Sequence, residues 1–150
     1  MATLPDVRVI DEAILAVLTD DAILMALMPG GVHWAIAPPG LARFVIVDGA
    51  QDFEPSYVFG ATDGGIERIG YLVKAIARAS ETDAPLDAAA RIHDLLHMQP
   101  LVLTGTGYEW MATTRTRRVR YPERDPHNVE WQHIGAVYDV MVSSEFTTAS

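Results

Sequence analysis

The apolar residues of this chain change their spacing partway along, and that change limits its possible folds more than any other feature. From Val129 to Ser143 the residues alternate: Ile134, Ala136, Tyr138, Val140 and Val142 point one way, while His133, Gly135, Val137, Asp139 and Met141 point the other. A period of two is that of a strand. Leu101–Leu103 and the turn Thr104-Gly105-Thr106-Gly107 lead into a second alternating run, Tyr108 to Tyr121, and the polar loop Pro122–Asn128 joins the two runs. The pattern predicts a long-armed β-hairpin.

The opening of the chain has the other period. Ile10, Ala13, Ile14, Val17 and Leu18 recur at i, i+3, i+4, i+7 and i+8, one stripe of an amphipathic helix with Asp6 as its N-cap. Asp20 is placed to cap a short second helix carrying Ile23, Leu24 and Leu27, which Pro29-Gly30-Gly31 stops. Val32–Ala37 reads as a short strand ended by Pro38-Pro39-Gly40. Phe44–Val47 reads as a buried strand continuing to Gln51, and residues 52–65 as a loop or irregular edge. Ile66–Ala79 fits helix and strand about equally. Pro85 suits a first helical turn, and Leu86, Ala89, Ala90, His93, Leu96 and His97 follow as one face until Gln99-Pro100. Helices at two points among grouped strands predict an α+β domain. Its sheet is mainly antiparallel, with helices packed on one face and an Arg-rich β-hairpin projecting from it.

At 150 residues the chain fits one domain spanning residues 1–150, large enough to fold around a core without disulfide or metal. It has no cysteine, which excludes a disulfide scaffold, thiolate metal sites and a cysteine nucleophile. Acids interrupt the first fifteen residues where a secretory signal needs an apolar run, and Thr19-Asp20-Asp21 divides the longest apolar stretch. No membrane partner is expected.

Chemistry is sparsely represented. His93-Asp94-Leu95-Leu96-His97 is one methylene short of the zinc-protease signature H-E-x-x-H. The i, i+4 spacing can set two imidazoles on one metal. However, aspartate reaches less far than glutamate toward a bound water, and the third ligand would have to come from distant His127 or His133. The competing reading is two histidines at the edge of a helix face. No G-x-S-x-G motif is present, and the glycines of "GATDGGIERIG" lack the lysine of a phosphate loop. No cofactor, metal or catalytic set is expected.

Charge is more informative. The net charge is −9, yet Arg115, Arg117, Arg118, Arg120 and Arg124 fall within ten positions beside the single acid Glu123. That segment carries +4, leaving −13 for the remainder. In a regular strand Arg115 and Arg117 share one face, and Arg118 and Arg120 the other. One reading is a solvated edge strand protected by charge. The other is a hairpin that docks on an acidic neighbour through bidentate Arg–carboxylate pairs. An acidic body is poorly suited to coating nucleic acid.

Taken together, "VIDEAILAVLTDDAILMALMPGGVHWAIAPPGLARFVIV", "ETDAPLDAAARIHDLLH" and "WQHIGAVYDVMV" resemble the tail-terminator (tail completion) proteins of long-tailed bacteriophages and related particles. The resemblance covers nearly the whole chain and rests on pattern more than on identical residues. It implies an α+β fold in which Ile66–Ala79 is a strand. It also implies a virion component assembled in the host cytoplasm: a homomeric ring, commonly a hexamer, that caps the tail tube, ends its polymerisation and meets the head connector. The implied partners are other copies of the chain, the tail tube protein and the connector, with genomic DNA passing through the channel without specific binding. The resemblance supplies no catalytic residues, and the role of the five arginines as subunit or tube contacts is read from charge. A head–tail joining (neck) protein is the alternative within this class. From other classes, the alternatives are a small metal-dependent hydrolase using His93 and His97, and a nucleic-acid-binding regulator.

Overall fold

The computed structural model describes residues 2–3, 6–49, 57–61, 64–81, 83–145 and 147–148. Along the chain they form β1 (Ala2–Thr3), α1 (Arg8–Thr19), α2 (Ala22–Leu27), β2 (Val32–Trp34), β3 (Arg43–Gly49), β4 (Tyr57–Ala61), β5 (Gly64–Arg78), α3 (Asp83–Leu96), β6 (Tyr108–Arg124), β7 (Glu130–Glu145) and β8 (Thr147–Thr148). The main sheet has the order β2-β3-β5-β7-β6, with β4 pairing alongside β5, and β1 and β8 form a separate two-stranded ribbon. All pairings in the main sheet are antiparallel except β2 with β3. That parallel pair needs only the loop 35–42 as its connection, because β2 is three residues long and the chain has little distance to travel back. The fold is the α+β arrangement expected from the sequence.

One face of the sheet carries the core. Ile10, Ile14 and Leu18 of α1, Leu24 and Met28 around α2, and Ala88, Ile92 and Leu96 of α3 are buried against Val45, Val47, Tyr71, Val73, Tyr138, Val140 and Val142. Each such side chain taken fully out of water stabilises the fold by about 1.5–3 kcal/mol before entropy is charged. Two polar ties fix where the helices sit. The Tyr71 hydroxyl donates to Asp11 at 2.6 Å, joining β5 to α1. Arg91 of α3 grips Asp21 with Nε at 2.9 Å and Nη2 at 2.6 Å, and this bond holds the Asp21 carboxyl below the ordinary carboxylate range.

Several sequence expectations shift. Asp21, rather than Asp20, caps α2, accepting the Leu24 amide at 2.9 Å, while Asp20 ends α1. Val7 occupies the N-cap position of α1, and Asp6 instead accepts the amide and guanidinium of Arg8. The strand expected over Val32–Ala37 ends at Trp34, because Ala35 turns to φ 63°. β3 ends at Gly49 among the described residues; Ala50 and Gln51 lie outside them, as do residues 52–56, 62 and 63 of the expected loop. Within that span β4 forms with a register shift, an irregular edge. Ile66–Ala79 is strand to Arg78, the assignment the family resemblance implied. Leu101 and Leu103 enter the core without forming a strand.

The largest shift concerns α3. Its buried stripe is Pro85, Ala88, Ile92 and Leu96. Leu86, Ala90 and His93, placed on one face with Leu96 by the sequence, lie outside it. Pro85, Ala88, Ile92 and Leu96 recur at helical spacing and turn this stripe into the core, which leaves Arg91 beside α2 within reach of Asp21.

The opposite face of the sheet has a small polar cluster. Lys74 Nζ donates to the Tyr121 hydroxyl at 2.8 Å, the Tyr121 ring stacks on His133 with centroids 4.5 Å apart, and His133 Nε2 meets Glu123 at 2.9 Å. His133 is only 7% exposed, and its Nδ1 finds no hydrogen-bond partner among the described residues. Burial, reinforced by Lys74, lowers its proton affinity below the ordinary imidazole value of 6.5. Beside it Gly135 lets β5 and β7 close: a Cβ there would stand 1.9 Å from the Val73 carbonyl oxygen.

Two outcomes follow. Gly135→Ala forces the β5 backbone aside and should cost about 3 kcal/mol or more, read as a lower urea midpoint or loss of soluble protein. For His133, the unfolded chain takes up a proton first as pH falls through about 6.5, so its contribution to stability is full above that pH and is lost below it. His133→Phe keeps the stack on Tyr121 and should flatten the fall in Tm between pH 7 and 5. An unchanged slope would mean that other groups govern acid stability.

Candidate assembly interface

β6 is the edge strand of the sheet, and among the described residues its outer side pairs with no strand. The arginines lie here, although not as a regular strand would place them. The pairing register against β7 shifts between Arg115 and Arg117, leaving Thr116 as an extra residue whose hydroxyl donates to the Val137 carbonyl at 3.2 Å. A bulge of this kind re-aims every side chain beyond it. Arg115, Arg118 and Arg120 stand opposite Tyr138, Ala136 and Ile134, whereas Arg117 stands opposite Val137. Directly opposed residues share a face. Arg115, Arg118 and Arg120 therefore lie together on the helix side, with Arg117 on the reverse. Arg118 and Arg120 share a face as alternation predicts, whereas Arg115 and Arg117, expected together, are separated because the strand is not unbroken.

Arg124 sits apart from this group, at the hairpin tip. Its guanidinium reaches the Asn128 side chain at 3.0 Å and Glu130 at 3.6 Å, so it closes the turn. The hairpin is rooted by β7, which pairs with β5 from Trp131 to Glu145.

The three helix-side arginines rim a groove of about 340 Å³ between α3 and β6. Its floor is Ile134, Ala136 and Tyr138 of β7, and its far wall is Leu86, Ala89, Ala90 and His93 of α3. These wall residues form a second apolar stripe, offset from the one that enters the core. Among the described residues Arg115, Arg118 and Arg120 form no ion pair, while Arg8, Arg43, Arg68, Arg91 and Arg124 each meet a carboxylate.

His93 and His97 close one end of the groove. Their rings stack with centroids 4.6 Å apart and 18° between planes. His97 Nδ1 accepts the Arg115 amide at 3.3 Å, and Met98 donates its amide to the Thr113 carbonyl at 2.7 Å. The C-terminal turn of α3 thus occupies the β6 edge at residues 113–115. His93 Nδ1 lies 3.5 Å from the Tyr138 hydroxyl. Its proton affinity is lowered by burial first and then by Arg115, while burial pushes Tyr138 up to about 12. Stacked rings with one nitrogen committed to a backbone amide are poorly arranged to converge on a metal. Among the described residues no group of three His, Cys, Asp or Glu side chains is gathered that could hold one.

Sequence reasoning located the arginines but missed the groove, since the bulge leaves no local signature and α3 carries two overlapping stripes, of which Ala88, Ile92 and Leu96 are the buried one. No protein-family model matches the chain, and no curated protein matches it. Among solved structures, a chain from the virion of a native gene transfer agent (GTA) particle is similar in fold. The TM-score is 0.64 over 89% of this chain and 93% of that one, with 19% of residues identical. At that identity the likeness is one of architecture, shared over nearly the full length of both chains.

Proposed function

We propose that this chain is a structural protein of a phage-like particle. In this reading it is a subunit of a ring that caps the tail tube, ends the tube's polymerisation and presents a surface to the head connector. The observation that carries the reading is the full-length fold likeness to a chain of the gene transfer agent virion. The sequence resemblance to tail terminators supports the same class and supplies the finer placement. Charge layout supports assembly from identical subunits: a basic strand edge and an acidic remainder on one chain are complementary between copies. Because the two surfaces differ, the contact is heterologous and propagates until a ring closes. An acidic ring lining would let DNA pass without holding its phosphates.

Imaging particles made without this protein tests the role. Overlong tails, with tubes lacking a terminal ring, are expected. Tails of normal length detached from heads would move the protein to the neck, and unaltered particles would remove it from both positions. The double variant Arg118→Glu/Arg120→Glu should lower ring formation at least tenfold, counted by negative-stain microscopy, with an unchanged Tm.

A further inference from the structure

We propose that the groove between α3 and β6 receives the α2 corner of a second copy of this chain, with Ile23 on its apolar floor and Asp20 and Asp87 against Arg118 and Arg120. This inference rests on the self-assembly reading above and names the surfaces that meet.

Two properties of the groove point to an occupant. Its helix wall is largely apolar between His93 and Asp94 at one end and Leu86 at the other, and Leu86 is 39% exposed. Its cationic rim, Arg115, Arg118 and Arg120, forms no ion pair among the described residues, whereas five other arginines of the chain each meet a carboxylate. A guanidinium beside an apolar trough suits a segment that is itself apolar with flanking carboxylates.

The α2 corner has that composition. Ile23 is 55% exposed, an aliphatic side chain standing on the surface of a buried-core helix. It lines a cleft between α2 and α3 together with Asp87. Asp20 lies three residues before it, and neither Asp20 nor Asp87 makes an ion pair among the described residues. Asp21 is excluded from this role because Arg91 already holds it.

The two surfaces of one copy cannot meet each other. Asp94 of α3 lines both the α2–α3 cleft and the α3–β6 groove, so α3 stands between them. A second copy is therefore required, and its own groove stays open for a third. Acidic proteins in general could neutralise the rim. The combination of a single aliphatic knob with two free carboxylates selects this chain's own corner.

The chain has no cysteine, so engineered thiols report contacts cleanly. Full-length Ile23→Cys and Ala89→Cys chains, each singly substituted, are mixed under mild oxidation at a concentration where the wild type sediments as an oligomer. A mixed disulfide dimer at twice 16.4 kDa is expected. A chain carrying both substitutions should give a ladder ending at the closed ring. Adding Arg118→Glu/Arg120→Glu to the Ala89→Cys chain should reduce the mixed dimer at least tenfold, and adding Asp20→Arg/Asp87→Arg to the Ile23→Cys chain should restore it. Ala89→Cys pairing only with itself, or no mixed dimer, overturns this contact while leaving a ring built through another surface. A wild-type chain that sediments as a monomer alone and forms no ring on tail tubes overturns the self-assembly reading and this contact together.

Discussion

The ladder between β5 and β7 is the constraint on which the rest of the molecule depends. It runs through fifteen consecutive residue pairs, from Gly64 opposite Glu145 to Arg78 opposite Trp131, without a register shift. Because side chains alternate along a strand, an unshifted ladder of this length divides the sheet into two faces that never exchange. Tyr71, Val73 and Ala75 are held level with Tyr138, Ala136 and Ile134 on one face, and all three helices gather there. Lys74 and His133 are held on the other face, where Gly135 permits the close approach of the two backbones. A slip of one residue would move polar His133 and Asp139 under the helices and expel Tyr138 and Val140.

β6 obeys a different rule. Paired on one side only, it tolerates two register shifts against β7, and the second redistributes the arginines. A strand in the middle of a sheet loses bonds on both sides when it bulges, whereas an edge strand loses them on one. The irregularity therefore sits where it costs least, and its consequence is chemical. Three guanidinium groups gather on the helix side above an apolar floor, instead of being divided equally between faces.

Much of this architecture is legible in the amino-acid order, and the illegible parts share a cause. The stripe Ile10, Ile14, Leu18 and the alternation through Ile134–Val142 are dictated by burial that repeats at each turn or residue pair, so they survive reading one residue at a time. Asp21 in place of Asp20 was a matter of which carboxylate could also reach Arg91, seventy positions away. On α3 two overlapping stripes compete, and burial of Ala88, Ile92 and Leu96 leaves Leu86, Ala89 and Ala90 outside the core. Thr116 gives no warning of its bulge, because the surrounding run of Thr and Arg carries no apolar alternation to break. Local pattern decides elements; packing against the sheet decides which of two overlapping stripes is buried, and the other then faces the groove.

The chemistry of the groove also explains why arginine, rather than lysine, was the informative residue. A lysine ammonium is compact and strongly hydrated, so a strand edge lined with it stays separate from its neighbours. A guanidinium is planar, less tightly hydrated and presents paired donors that fit a carboxylate. It can therefore guard an edge in the free chain and still give up its water when a matching acid arrives. In this chain ten of the eleven basic residues are arginine, and Arg115, Arg118 and Arg120, which form no ion pair among the described residues, lie along an apolar trough. An edge that only needed protection from aggregation would have been served by charge of either sign on either face. Uncommitted arginines on one face, over a floor that avoids water, are instead suited to an attachment that forms between subunits, and salt can loosen it by screening the outermost charges.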